Sequence, residues 1–237
     1  MASVLVVLVE AISALISFWV FYFTLKACKA SSIPYLLGIP AALGLLTLAF
    51  VANLITVAVN ANQVKGGLIL NVVYFLLDTY GILFLALTYA RRTRLKFIGE
   101  SFSIELAIPG LITIVIVAHA LIFENVTLSF SVPPTMELSL RAVMAVAAAY
   151  LVYETIRNWS LTRRAGGGVI VFAYAAFFVE QVGFMMSMQW FPDVTTFLGY
   201  EGRIVGLLLL LGVCSVGVNK DDFATVIKRL GLSAQAH

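Results

Sequence analysis

Seven long apolar segments account for most of this chain, at roughly 3–25, 33–59, 66–90, 101–123, 135–158, 167–191 and 196–218. Each is long enough to cross a hydrocarbon core about 30 Å thick at 1.5 Å per helical residue. A backbone in lipid must satisfy its own hydrogen bonds, so segments of this kind are helices. Only 11% of residues are charged while 62% are hydrophobic, and mean hydropathy is +1.03, which excludes a soluble fold. The sequence therefore predicts an all-α, polytopic membrane protein. Residues 1–219 form a seven-transmembrane-helix bundle, and residues 220–237 form a tail.

The fifteen Lys and Arg residues orient that bundle. Lys26, Lys29, Arg91, Arg92, Arg94, Lys96, Arg157, Arg163, Arg164, Lys220, Lys228 and Arg229 all fall on one side of the alternating spans. Lys65 stands alone on the other side, and Arg141 and Arg203 lie inside spans. By the positive-inside rule the N-terminus is outside, the C-terminus is cytoplasmic and the protein is a multi-pass component of the cell membrane. The net charge of +3 reflects this topology and not nucleic-acid binding; anionic lipid head groups are the natural partners. The first span lacks a basic leader and a small-residue cleavage site and carries Glu10, so it is read as retained. Cys28 and Cys214 are isolated and make neither a disulfide framework nor a metal site.

Local signals refine the picture. Val132-Pro133-Pro134 ends one helix and begins the next, and Asn125-Val126-Thr127 in the same outer loop is a glycosylation sequon. Pro40 and Pro109 predict kinks in the second and fourth spans. Gly166-Gly167-Gly168 predicts a flexible hinge before the sixth. The alanines 142, 145, 147, 148 and 149 make the fifth span a close-packing element. In the tail, Phe223, Val226, Ile227 and Leu230 share one helical face beside Lys228 and Arg229, as in a short amphipathic helix on the inner leaflet.

Charged side chains inside a bilayer cost about 2.5–3.5 kcal/mol each on insertion scales, so they face the interior and pair. Glu10, Asn53, Asn71, Asp78, His119, Arg141, Glu180, Gln181, Glu201 and Arg203 all fall in the middle or outer half of the spans. Helical spacing gathers them into stripes: Glu10, Ser13 and Ser17; Asn53, Thr56 and Asn60; Asn71, Tyr74 and Asp78; Glu180, Gly183 and Ser187. Turned inward, those stripes make a polar pocket open to the outside. Glu137 and Arg141 are placed to pair at i, i+4. Glu201 and Arg203 are two apart and cannot face the same way. Carboxyls outnumber guanidiniums in this group, so it suits a bound cation or a retained proton. The alternative for each residue is a buried pair that fixes helix register.

Other chemistries lack their residues. His119 and His237 are the only histidines, too few for a diheme cytochrome or a zinc hydrolase, and no cofactor or metal is expected. A retinal protein needs a lysine in its seventh span, and 196–218 has none. The sequence points to a transporter of a small molecule or ion, with proton coupling open and catalysis disfavoured. The alternatives are a non-catalytic subunit or scaffold of a larger membrane complex, or a seven-helix receptor or sensor. A homo-oligomer or a membrane-protein partner fits each.

Overall fold

The computed structural model describes residues 2–31, 38–61, 67–93, 134–162, 165–190 and 192–218, with isolated positions between 107 and 118. Six helices carry them: α1 (Ala2–Ser31), α2 (Gly38–Ala61), α3 (Gly67–Thr93), α4 (Pro134–Thr162), α5 (Ala165–Ser187) and α6 (Pro192–Val218). All six are long and apolar enough to cross a membrane, so the protein is a multi-pass helical membrane protein. Pro134 and Pro192 open α4 and α6, where a missing N–H costs nothing. Within the predicted fourth span, 101–123, Ala107, Gly110–Ile112, Ile114, Val115 and Ala118 are described and helical. His119, Glu105, Pro109, the Asn125 sequon and the tail helix lie outside the described residues.

Each helix packs against its neighbour in sequence order, and α6 returns to α1, closing a ring of six. The lipid-compatible side chains point outward: Leu8, Ile12, Leu15 and Trp19 on α1 and Phe197, Val205 and Leu208 on α6 are exposed. Inside the ring one core cluster includes Leu46, Phe50, Phe84, Tyr89, Met144 and Leu207. A smaller one, made by Ala49, Ala52, Tyr74, Phe75, Met136 and Leu140, covers the end where α3 and α4 begin.

Pro40 is the third described residue of α2. Gly166, Gly167 and Gly168 lie inside the first turn of α5. A Cβ on Gly167 would stand 2.7 Å from Trp159 Cδ1, so the glycine admits that ring against the helix.

Helices α5 and α6 approach each other backbone to backbone. A Cβ on Gly202 would meet the Ala176 carbonyl oxygen at 2.7 Å and the Glu180 nitrogen at 2.9 Å. One on Gly183 would meet Gly199 N and Thr195 O, each at 2.9 Å, and one on Gly206 would meet Ala173 O at 3.0 Å. Backbone thus packs directly on backbone along this seam, the small-residue solution to helix association in lipid. It sets Glu180 and Arg203 side by side.

Candidate functional site

Arg203 is fully buried, and each guanidinium nitrogen is held by a different helix. Nε donates to Glu180 Oε1 on α5 at 2.6 Å, and Nη1 donates to Glu10 Oε1 on α1 at 2.7 Å. Nη2 donates to the Tyr74 hydroxyl on α3 at 3.1 Å. The guanidinium carbon also lies 4.7 Å from the centre of the Phe50 ring on α2. A planar fork with fixed donor directions is what allows one side chain to join four helices to its own. Removing only the tyrosine hydroxyl should cost about 1.5–3 kcal/mol, the usual worth of a hydrogen bond to a charged group. Tyr74→Phe is therefore expected to unfold at lower temperature in detergent; unchanged unfolding would show that Nη2 does not depend on Tyr74.

Arg141 on α4 makes a second centre beside the first. Its Nε donates to Glu137 Oε1 at 2.9 Å, the i, i+4 pair expected from spacing, and its Nη1 reaches Gln181 Oε1 at 3.5 Å. The Phe184 ring takes both guanidiniums, with Arg141 Cζ 4.3 Å and Arg203 Cζ 5.5 Å from its centre. Desolvated cation–π contacts of this kind contribute about 2 kcal/mol each. Phe75 adds a further face to Arg141 at 5.0 Å.

Asp78 completes the group. It is 1% exposed, and its Oδ2 has no hydrogen-bond partner; the same holds for Oε2 of Glu10 and Nε2 of Gln181. Three buried carboxyls, Glu10, Asp78 and Glu180, thus stand against two buried guanidiniums. The half-buried Glu137 already claims one of those guanidiniums. Between α2, α3, α4 and α5 lies a cavity of about 10 Å³ lined by both Asp78 and Glu180. Its walls are almost wholly apolar, and it is too small for an organic solute.

Of the ten residues singled out in the sequence, Glu10, Asp78, Arg141, Glu180, Gln181 and Arg203 are brought together in the ring. Asn53 and Asn71 are half-buried and hold no hydrogen bond to that network. Glu201 is exposed on the outer face of α6, which resolves the choice between it and Arg203. His119 lies outside the described residues. Much of the remaining polar stripe is satisfied within its own helix: the hydroxyls of Thr24, Thr56 and Thr88 donate to carbonyls four residues back, each at 2.8 Å. Ser17 instead bonds Thr47 across to α2 at 2.9 Å. Buried Glu154, at the opposite end of α4, is paired at 3.6 Å with Arg157 and is separate from this site.

Tyr74 and Phe184 are the participants that charge counting does not single out. Tyr74 was visible as a member of the Asn71–Asp78 stripe. Phe184 had no comparable signal beyond its place one turn after Glu180. Compared with protein-family models, curated proteins and solved structures, the chain matches none.

Proposed function

We propose that this protein is a seven-helix transporter of a small molecule or ion, built around the Arg203–Asp78 centre. The observation that carries the reading is the surplus of buried carboxyls, with Asp78 Oδ2 left unpartnered. Register and packing need no such group. An unpaired buried carboxylate is costly unless a proton or cation accompanies it, and a group that must take up and release a charge is what an ion-coupled carrier requires.

Helix direction supports a seventh span. Phe75 and Arg141 meet near the starts of α3 and α4, and further along Asp78, Ile82 and Leu85 face Ala148 and Leu151 around one cavity. The two helices run parallel, so residues 94–133 carry the chain back across the bilayer, as the apolar stretch 101–123 suggests. With the basic residues inside, the Arg203 centre lies in the outer half of the cell membrane, and the tail helix rests on the cytoplasmic leaflet.

A second reading, a subunit of a larger membrane complex, is favoured by α1. It is the least covered helix, and Phe18, Trp19 and Tyr22 form an exposed aromatic row along it. Native mass spectrometry on gently extracted protein separates the two. A small bound mass, lost in Asp78→Asn while the helical content stays unchanged, is the transporter result. Stoichiometric partner chains without a bound solute would overturn it in favour of the subunit.

A further inference from the structure

We infer that Asp78 is the proton-binding residue of this centre, held in the folded bundle as a neutral carboxylic acid, while Glu10, Arg203 and Glu180 form a fixed clasp of charges. The inference deepens the transporter reading by naming the ion, yet it stands on the geometry of the centre whether or not a solute is moved. All three guanidinium nitrogens of Arg203 are engaged, Nε by Glu180, Nη1 by Glu10 and Nη2 by Tyr74. Arg141 gives Nε to Glu137 and Nη1 to Gln181. Neither arginine donates to Asp78, and among the described residues Asp78 has no ion pair. Glu10 and Glu180 already balance the two guanidiniums, and Glu137 adds a further negative charge. An ionised Asp78 would find no counter-charge left to meet.

On its other side Asp78 faces carbon. It is 1% exposed, its Oδ2 has no hydrogen-bond partner, and it borders a cavity walled by Leu46, Phe50, Ile82, Leu85 and other apolar side chains. Glu180 touches the same cavity but is tied to Arg203 at 2.6 Å. A buried carboxylate without an ion pair is costly, and taking up a proton removes its charge. A hard cation would need six or so oxygen ligands, which these walls do not supply. The charged and titratable groups facing Asp78 are Glu10 from α1, Tyr74 from its own helix, Arg141 from α4, Glu180 from α5 and Arg203 from α6. At the cavity α2 contributes Leu46 and Phe50.

Infrared spectroscopy on the full chain in ether-linked phosphatidylcholine, which has no carbonyl of its own, reads that proton directly. At neutral pH a protonated-carboxyl stretch is expected that moves in D2O, and moves again in protein made with aspartate labelled with 13C at its side-chain carboxyl. The chain has four aspartates, Asp78, Asp193, Asp221 and Asp222, and of their single Asn variants only Asp78→Asn should lose the band. Stability gives a second reading. In the unfolded chain Asp78 meets water and ionises above about pH 3.9, so folding takes up a proton there and the parent loses stability as pH rises. Asp78→Asn keeps the shape without the titration, so its unfolding temperature should gain on the parent's from about pH 5 to about pH 9. A parent with no aspartate-derived protonated band would overturn the proposal. So would an Asp78→Asn protein that loses ground to the parent as pH rises, the behaviour of an ionised and compensated carboxylate. A protein that shows the band but moves no solute in liposomes would instead remove the transporter reading and leave the proton site standing.

Discussion

Arg203→Met is expected to lose about 3–5 kcal/mol of stability, the cost of leaving a buried ion-pair partner uncompensated. Here two partners are stranded, Glu10 and Glu180, both buried beside other carboxyls. Proteins hold only about 5–15 kcal/mol in total, so most of the folded population should disappear in thermal unfolding followed by circular dichroism. Arg203→Lys should fall only partly short of that. It keeps the charge, but a compact ammonium cannot reach three helices in three fixed directions. The triple change Glu10→Gln, Glu180→Gln, Arg203→Met should recover a large part of the loss, since it removes the stranded charges together with their partner. A single Arg203→Met that unfolds like the parent would show that the ring does not depend on this centre.

Gly202→Leu should be comparably damaging for a different reason. Its Cβ alone would fall 2.7 Å from the Ala176 carbonyl oxygen, which belongs to the α5 backbone and cannot swing aside. Overpacking of well-filled interiors costs about 1–3 kcal/mol, and more where backbone must move. Pushing α6 off α5 would also lengthen the 2.6 Å contact between Arg203 and Glu180 that the seam creates. The matched control is Gly212→Ala on the same helix, where a Cβ meets nothing within 4 Å. That change should be neutral or stabilise by about 0.5–1 kcal/mol through helix propensity. Equal behaviour of the two variants in detergent unfolding would refute direct backbone packing at Gly202.

Six of the spans and much of the inward stripes were legible because hydropathy and helical period act locally. Partner choice was not, because it depends on which helices become neighbours. Glu10 and Arg203 are separated by 193 positions, and nothing in their spacing links them. The choice between Glu201 and Arg203 did have a signal. Gly199, Gly202 and Gly206 mark the close-packed face of α6, and at 3.6 residues per turn Arg203 lies roughly 70° from its centre and Glu201 roughly 130°. Trp159 packs where side chains at Gly167 and Gly168 would stand, a reason for those glycines that spacing alone does not show. Among the described residues Asp78 and Glu180 line a cavity of about 10 Å³, while threonines bond their own carbonyls and the arginines lie over Phe50, Phe75 and Phe184.

The union of Arg203 with Glu10 and Glu180 also dictates an order of assembly. The chain is made from its N-terminus, so Glu10 enters the bilayer long before the helix that neutralises it has been synthesised. Glu180 waits only 23 residues for the same arginine. Until α6 arrives, α1 carries an acid without its counter-charge, and a nascent chain stopped before Arg203 retains that defect. Arrival of α6 is thus the step that neutralises α1, and a chain stopped before Arg203 leaves both Glu10 and Glu180 without their counter-charge.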